Sequence, residues 1–155
     1  SRLGEEDAAK ARRMKAMTMP LSSSADYMER ARFSKEHGLS LKGFFEFAKD
    51  DYLKAFAADH KNIAAIYALC ALYEKKGENQ KLLELLRNLR QKKEYADAQA
   101  ILAFCTSNTR LAMGNYDKAI NELKAIKNPG EFKLLICKQE AAIALARGHF
   151  AIAMQ

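Results

Sequence analysis

Apolar positions recur at helical spacing along most of this chain, and glycines punctuate them at regular intervals. Residues 68–89, ALCALYEKKGENQKLLELLRNL, read as an apolar helix, a turn at Gly77 and a second apolar helix. The same arrangement recurs around Gly43, Gly114 and Gly148, and the gaps between the four glycines are 34, 37 and 34 residues. Glycine suits such a turn because a helix C-terminus often needs φ > 0. A fixed period in this range predicts stacked helix pairs. One pair cannot bury its apolar face alone, so the neighbours complete a continuous core.

Taken in order, residues 5–17 form a weak helical extension with acids before bases, an order that suits the helix dipole. Pro20 and the serines at 22–24 break it. Residues 1–25 are therefore an N-terminal extension and linker, and 26–155 a repeat domain. Asp26 and Glu29 have capping-box spacing and predict a helix over 27–42, which Gly38 would kink or end early. After Gly43, the residues Phe45, Ala48, Tyr52, Ala55 and Phe56 give one apolar face. Asp59, His60, Lys61 and Asn62 close that helix and begin the next unit.

These residues carry a resemblance. Gly43-x-Phe45-x-x-Ala48-x-x-x-Tyr52-x-x-Ala55 resembles the second helix of a tetratricopeptide repeat, G-x-Y-x-x-A-x-x-x-Y-x-x-A. Leu69, Cys70 and Tyr73 match the first helix of that repeat, and Gly114-x-Tyr116-x-x-Ala119 matches the second again. Gly148, Phe150, Ala153 and Ala141 carry the likeness into a fourth, incomplete unit. The repeats fall at 29–62, 63–96, 100–133 and 134–155, about four-fifths of the chain. Glu36, Leu82 and Arg110 depart from the pattern, and the usual terminal proline is missing. The extra three residues between repeats two and three lie within 87–99, as a longer helix or a larger loop. The resemblance implies an all-α fold, a right-handed α-solenoid of antiparallel helix pairs.

Composition adds limits. The chain has 155 residues, enough for one domain, with 29% charged residues and two prolines. No apolar run approaches the length of a membrane span. Cys70, Cys105 and Cys137 are odd in number and lie in apolar helical contexts. That pattern makes neither a disulfide framework nor a zinc site, and reads as buried free thiols in a cytoplasmic protein. The net charge is +7. Its local excess at Arg87, Arg90, Lys92 and Lys93 forms a basic patch. A solvated helix end explains that patch more simply than phosphate contacts do. Nucleic acid is accordingly the weaker partner class.

No catalytic, cofactor-binding or metal-binding constellation stands out. The three histidines lack ligands at metal spacing, and no phosphate loop or nucleophile elbow is present. Asp50 and Asp51 read as part of a solvated face. The chain reads as a non-enzymatic scaffold or adaptor. In the tetratricopeptide family the first helices line a concave groove, and the equivalent positions here hold Phe33, Tyr67, Phe104 and Lys138, with His37, Asn108 and Arg30 beside them. Three aromatics and a lysine suggest a grip on a peptide or helix of a partner protein. The family's carboxylate clamp needs Lys and Asn where Phe33, His37, Tyr67 and Ala71 stand, which disfavours capture of a chaperone tail. A homodimer is the alternative. The chain stops at Gln155 inside a helical pattern, which leads to the expectation of a longer protein, or of a partner or second copy covering this end.

Overall fold

The computed structural model describes residues 4, 5, 8, 23–36 and 41–153. Helix α1 is Ser24–Glu36, α2 Leu41–Ala58, α3 Ile63–Lys76, α4 Asn79–Gln91, α5 Gln99–Ala112, α6 Tyr116–Lys124 and α7 Lys133–Ala153. Short 3-10 segments at Lys93–Ala98 and Gly130–Phe132 precede α5 and α7. No strand occurs among the described residues. The chain divides into two compact units, 1–69 and 70–155, and the boundary falls inside α3.

In the first unit α1 packs on α2. Its helix begins earlier than the Asp26 signal predicts. Ser23 Oγ accepts the Asp26 backbone N–H at 3.1 Å, so Ser23 is the N-cap and Asp26 falls in the first turn. The helix ends at Glu36, before Gly38, and α2 starts at Leu41. Gly43 therefore lies inside a helix, two residues past its start, and is not a turn. Phe45, Ala48, Ala55 and Phe56 are buried, as the spacing predicts, and Ala31 of α1 meets the same core. Asn62 accepts the Ala65 N–H at 3.2 Å and caps α3, so the predicted restart at this asparagine holds. Its amide also donates to Ser24 Oγ at 2.6 Å, while Ser24 Oγ donates to the Ala55 carbonyl at 2.7 Å.

Asp51 is not on a solvated face. It is 4% exposed, and Arg30 donates to both its oxygens at 2.7 and 3.0 Å, from α1 to α2. Adjacent helical residues point about 100° apart, so Asp50 stays in solvent while Asp51 turns inward. The paired carboxylate holds the Arg30 guanidinium above its ordinary value.

In the second unit the packing follows the chain: α4 on α5, α5 on α6, α6 on α7. Helix α4 buries Leu82, Leu86 and Leu89, one stripe at i, i+4 and i+7. Helix α5 is different. Every residue from 101 to 107 is buried, and so is Thr109. Its hydroxyls are satisfied: Thr106 and Thr109 bond back to the Leu102 and Cys105 carbonyls at 2.8 and 3.0 Å. Ser107 donates to Ala119 O of α6 at 2.8 Å.

Two of the four glycine turns are present, with identical chemistry. Gly77 and Gly114 have φ of 75° and 78°. At the first, the Gly77 N–H bonds to Glu74 O and the Glu78 N–H to Tyr73 O, both at 3.0 Å. At the second, Gly114 bonds to Leu111 O and Asn115 to Arg110 O, at 3.0 and 2.9 Å. Each is a Schellman motif, and each is followed by a new helix two residues after the glycine. Gly148 makes no such turn, since α7 runs through it to Ala153. Glycine permits a turn without forcing one. Ala151, Ile152 and Ala153 after it continue the helix, whereas an asparagine, which competes for backbone hydrogen bonds, follows each of the other two within two residues. The three extra residues between repeats make neither a longer helix nor an open loop. Lys92 turns extended at ψ 132°, and the 3-10 segment Lys93–Ala98 then anchors on buried Tyr95 and Ala98. Gln99 ties it down, donating to the Arg90 and Tyr95 carbonyls at 3.1 and 3.0 Å.

Two outcomes check these assignments. Alanine at Gly77 or Gly114 meets no neighbouring atom but must adopt left-handed φ, costing about 1–2 kcal/mol. Alanine at helical, open Gly148 stabilises the monomer by about 1 kcal/mol. Urea unfolding of the three variants therefore gives opposite signs. Asp51→Asn removes the carboxylate that pairs with Arg30 and lowers stability by about 3 kcal/mol, read in the same way.

Candidate interaction surface

The residues expected to line a groove fall into different environments. His37 and the side chain of Phe33 lie outside the described residues. Tyr67, on α3, is 38% exposed. Phe104, on α5, is 5% exposed and belongs to the core of the second unit. It therefore presents no surface to a ligand, and this correction has a plain cause. Helix α5 is enclosed by neighbours, so the position that faces a groove in an open array is covered here.

Asn108 is tied to the residue next to Lys138 and not to Lys138 itself. Gln139, next to Lys138 on α7, donates its amide to Asn108 Oδ1 of α5. Lys138 is exposed, and Asn108 is half-buried. This amide pair links α7 to α5, while Lys138, about 100° round the helix, points to solvent.

The basic patch is divided. Arg87, Lys92 and Lys93 are exposed, but Arg90 turns inward and donates to Glu122 Oε2 of α6 at 2.8 Å. Arg110 Nε lies 3.4 Å from the other Glu122 oxygen, within ion-pair distance but without hydrogen-bond geometry. One carboxylate thus serves two guanidiniums. Beside this group a surface cleft of about 490 Å³ is lined by Arg90, Asp97, Lys127 and Asn128 over a floor that includes Ala100 and Ala103. Its charges of both signs and its shallow alanine floor select no ligand class.

The cysteines also separate. Cys105 is buried, Cys70 half-buried and Cys137 exposed, so the expectation of buried thiols fails at Cys137. Hydrogen bonding to Cys70 and burial push the Cys105 thiol well up. Solvent does not reach that sulfur, and its surroundings disfavour the thiolate. His60 packs against the Phe56 ring at 5.5 Å, and no group of three metal-ligating side chains gathers among the described residues.

The surface that sequence reasoning missed is on α7. Leu134 and Leu145 are 67% and 65% exposed, and Cys137, Lys138, Ala141, Ala144 and Gly148 are exposed around them. Ile136 and Ile143, seven residues apart, face the core. The helix is therefore apolar on two opposite sides, with one side buried by its own chain. A signal was present in the spacing 134, 137, 141, 145, 148, which makes a stripe distinct from 136 and 143.

Truncation separates core from surface. Phe104→Ala lowers unfolding stability by about 3–5 kcal/mol, whereas Tyr67→Ala changes it by roughly 1 kcal/mol or less. Thermal or denaturant unfolding of the two single variants reads this difference.

No known family, curated protein or solved structure matches the chain.

Proposed function

We propose that this chain is a non-enzymatic interaction module, a scaffold or adaptor whose tetratricopeptide-like helix pairs stack as a right-handed α-solenoid. It holds a helix or extended segment of a protein partner in the cytoplasm. The observation that carries the reading is the outward face of α7, where two large leucines stand in solvent on a helix whose opposite side is core. Burying apolar area gains about 25 cal/mol per Å², so a helix covering Leu134 and Leu145 gains about 1–2 kcal/mol from each. The recurrence of one Schellman geometry at Gly77 and Gly114 supports the repeat reading. Exposed Lys138, one turn from Leu134, adds a polar contact beside the leucines.

Nucleic acid is the weaker reading because Arg90, at the centre of the basic run, is committed to Glu122. A solvated cationic strip without interleaved aromatics offers phosphate attraction but no stacking.

The test is the double variant Leu134→Glu, Leu145→Glu in the whole chain. Both positions are exposed, so helical circular dichroism and the unfolding midpoint stay close to those of the parent. Affinity capture from the native cell then loses the partner that the parent retains. An unchanged set of captured proteins sinks the assignment of this face.

A further inference from the structure

We propose that Cys70 and Cys105 are a redox pair, which peroxide joins in a reversible disulfide that staples α3 to α5.

The two thiols lie 35 residues apart in sequence, on different helices. Within the second unit they stand in direct contact, Cys105 hydrogen-bonded to Cys70. Their exposure assigns each a step. Cys105 is 2% exposed and sits in the enclosed stretch of α5, between buried Phe104 and Thr106. An oxidant in solvent does not reach it. Cys70 is half-buried, so hydrogen peroxide, little larger than water, meets this sulfur first. A half-open thiol touching a closed one is the arrangement of an attacked cysteine beside its resolving partner.

The chemistry balances with peroxide alone. The Cys70 sulfur attacks hydrogen peroxide, the O–O bond breaks, and one water leaves, giving the sulfenic acid on Cys70. The Cys105 sulfur then displaces that hydroxyl, which takes the Cys105 proton and leaves as a second water. Two thiols lose two electrons to form one S–S bond, and one peroxide is reduced to two waters. A dithiol reductant returns both electrons and restores the thiols.

The resting state is the reduced one. The hydrogen bond to Cys70, burial and the Glu74 charge, one turn along α3, all hold Cys105 as a thiol. Since the thiolate is the nucleophile, the second step is slow by intrinsic reactivity. Contact offsets this, because a partner held in place acts at high effective concentration. Once closed, the bond places all of α4, the 3-10 segment Lys93–Ala98 and the first half of α5 in one covalent loop. A cross-link over a loop of this length restricts the unfolded chain, so oxidation stabilises the second unit.

The test uses the whole chain with Cys137→Ser, dilute, treated with hydrogen peroxide. Intact mass is expected to fall by two hydrogen atoms, and tryptic peptides containing Cys70 and Cys105 to be joined. The unfolding midpoint rises by roughly 5–10 °C, and dithiothreitol reverses all three changes. In the same background, Cys105→Ala leaves the sulfenic acid on Cys70, where dimedone traps it. Cys70→Ala leaves Cys105 unmodified under the same treatment. The linking assay needs no core substitution, so it decides the matter even where Cys105→Ala unfolds.

Oxidation of Cys70 to the sulfinic acid without a link overturns the proposal, and so does a link that forms only in denaturant. A link that lowers the midpoint shows a strained accident in place of a staple. Two thiols that both stay unmodified in excess peroxide rule the pair out as a redox site.

Discussion

Helix α5 has no free side between residues 101 and 107, and the second unit is organised by that enclosure. A helix buried all round needs apolar residues on every face, or polar ones that bond to a carbonyl they can reach. Thr106 and Thr109 reach back one turn within α5, and Ser107 reaches across to α6. The first two permit burial in any packing. The third fixes which helix must lie alongside. With α5 held in this way, α4 can present a single leucine stripe and α6 the pair Ala119 and Leu123. These outer helices stay polar elsewhere and therefore soluble on their outer faces.

The helices were legible in the sequence where periodicity and caps agreed. The stripe from Phe45 to Phe56 and the Asn62 restart came through because spacing and capping chemistry point the same way. Glycine position alone was less informative. Gly77 and Gly114 are followed by residues that favour a new helix start, and both form turns. Gly148 is followed by no Asn, Asp, Ser or Pro, and the helix continues; Gly43 sits just inside α2. Burial was harder to read than helicity. Phe104 looked like a groove residue because its neighbours in space, not in sequence, decide that it is enclosed. Asp51 looked solvated because its partner Arg30 is 21 residues away on another helix.

The electrostatics follow the same division between local and distant partners. Arg87, Lys92 and Lys93 behave as the sequence suggests, while Arg90 is drawn inward by Glu122, 32 residues on. Glu122 also lies against Arg110, so α6 meets cations from both α4 and α5 through one side chain. Such a shared carboxylate positions three helices with little net stabilisation, because partly exposed ion pairs are screened by water.

The Arg30–Asp51 pair carries an evolutionary consequence. Losing either member alone leaves a buried charge without its counter-ion, whereas exchanging both for well-packed apolar residues can be neutral or favourable. The two positions are thus separated from an apolar alternative by a fitness valley one substitution wide. An apolar pair at these two positions is therefore reached by exchanging both residues together, although they belong to different helices.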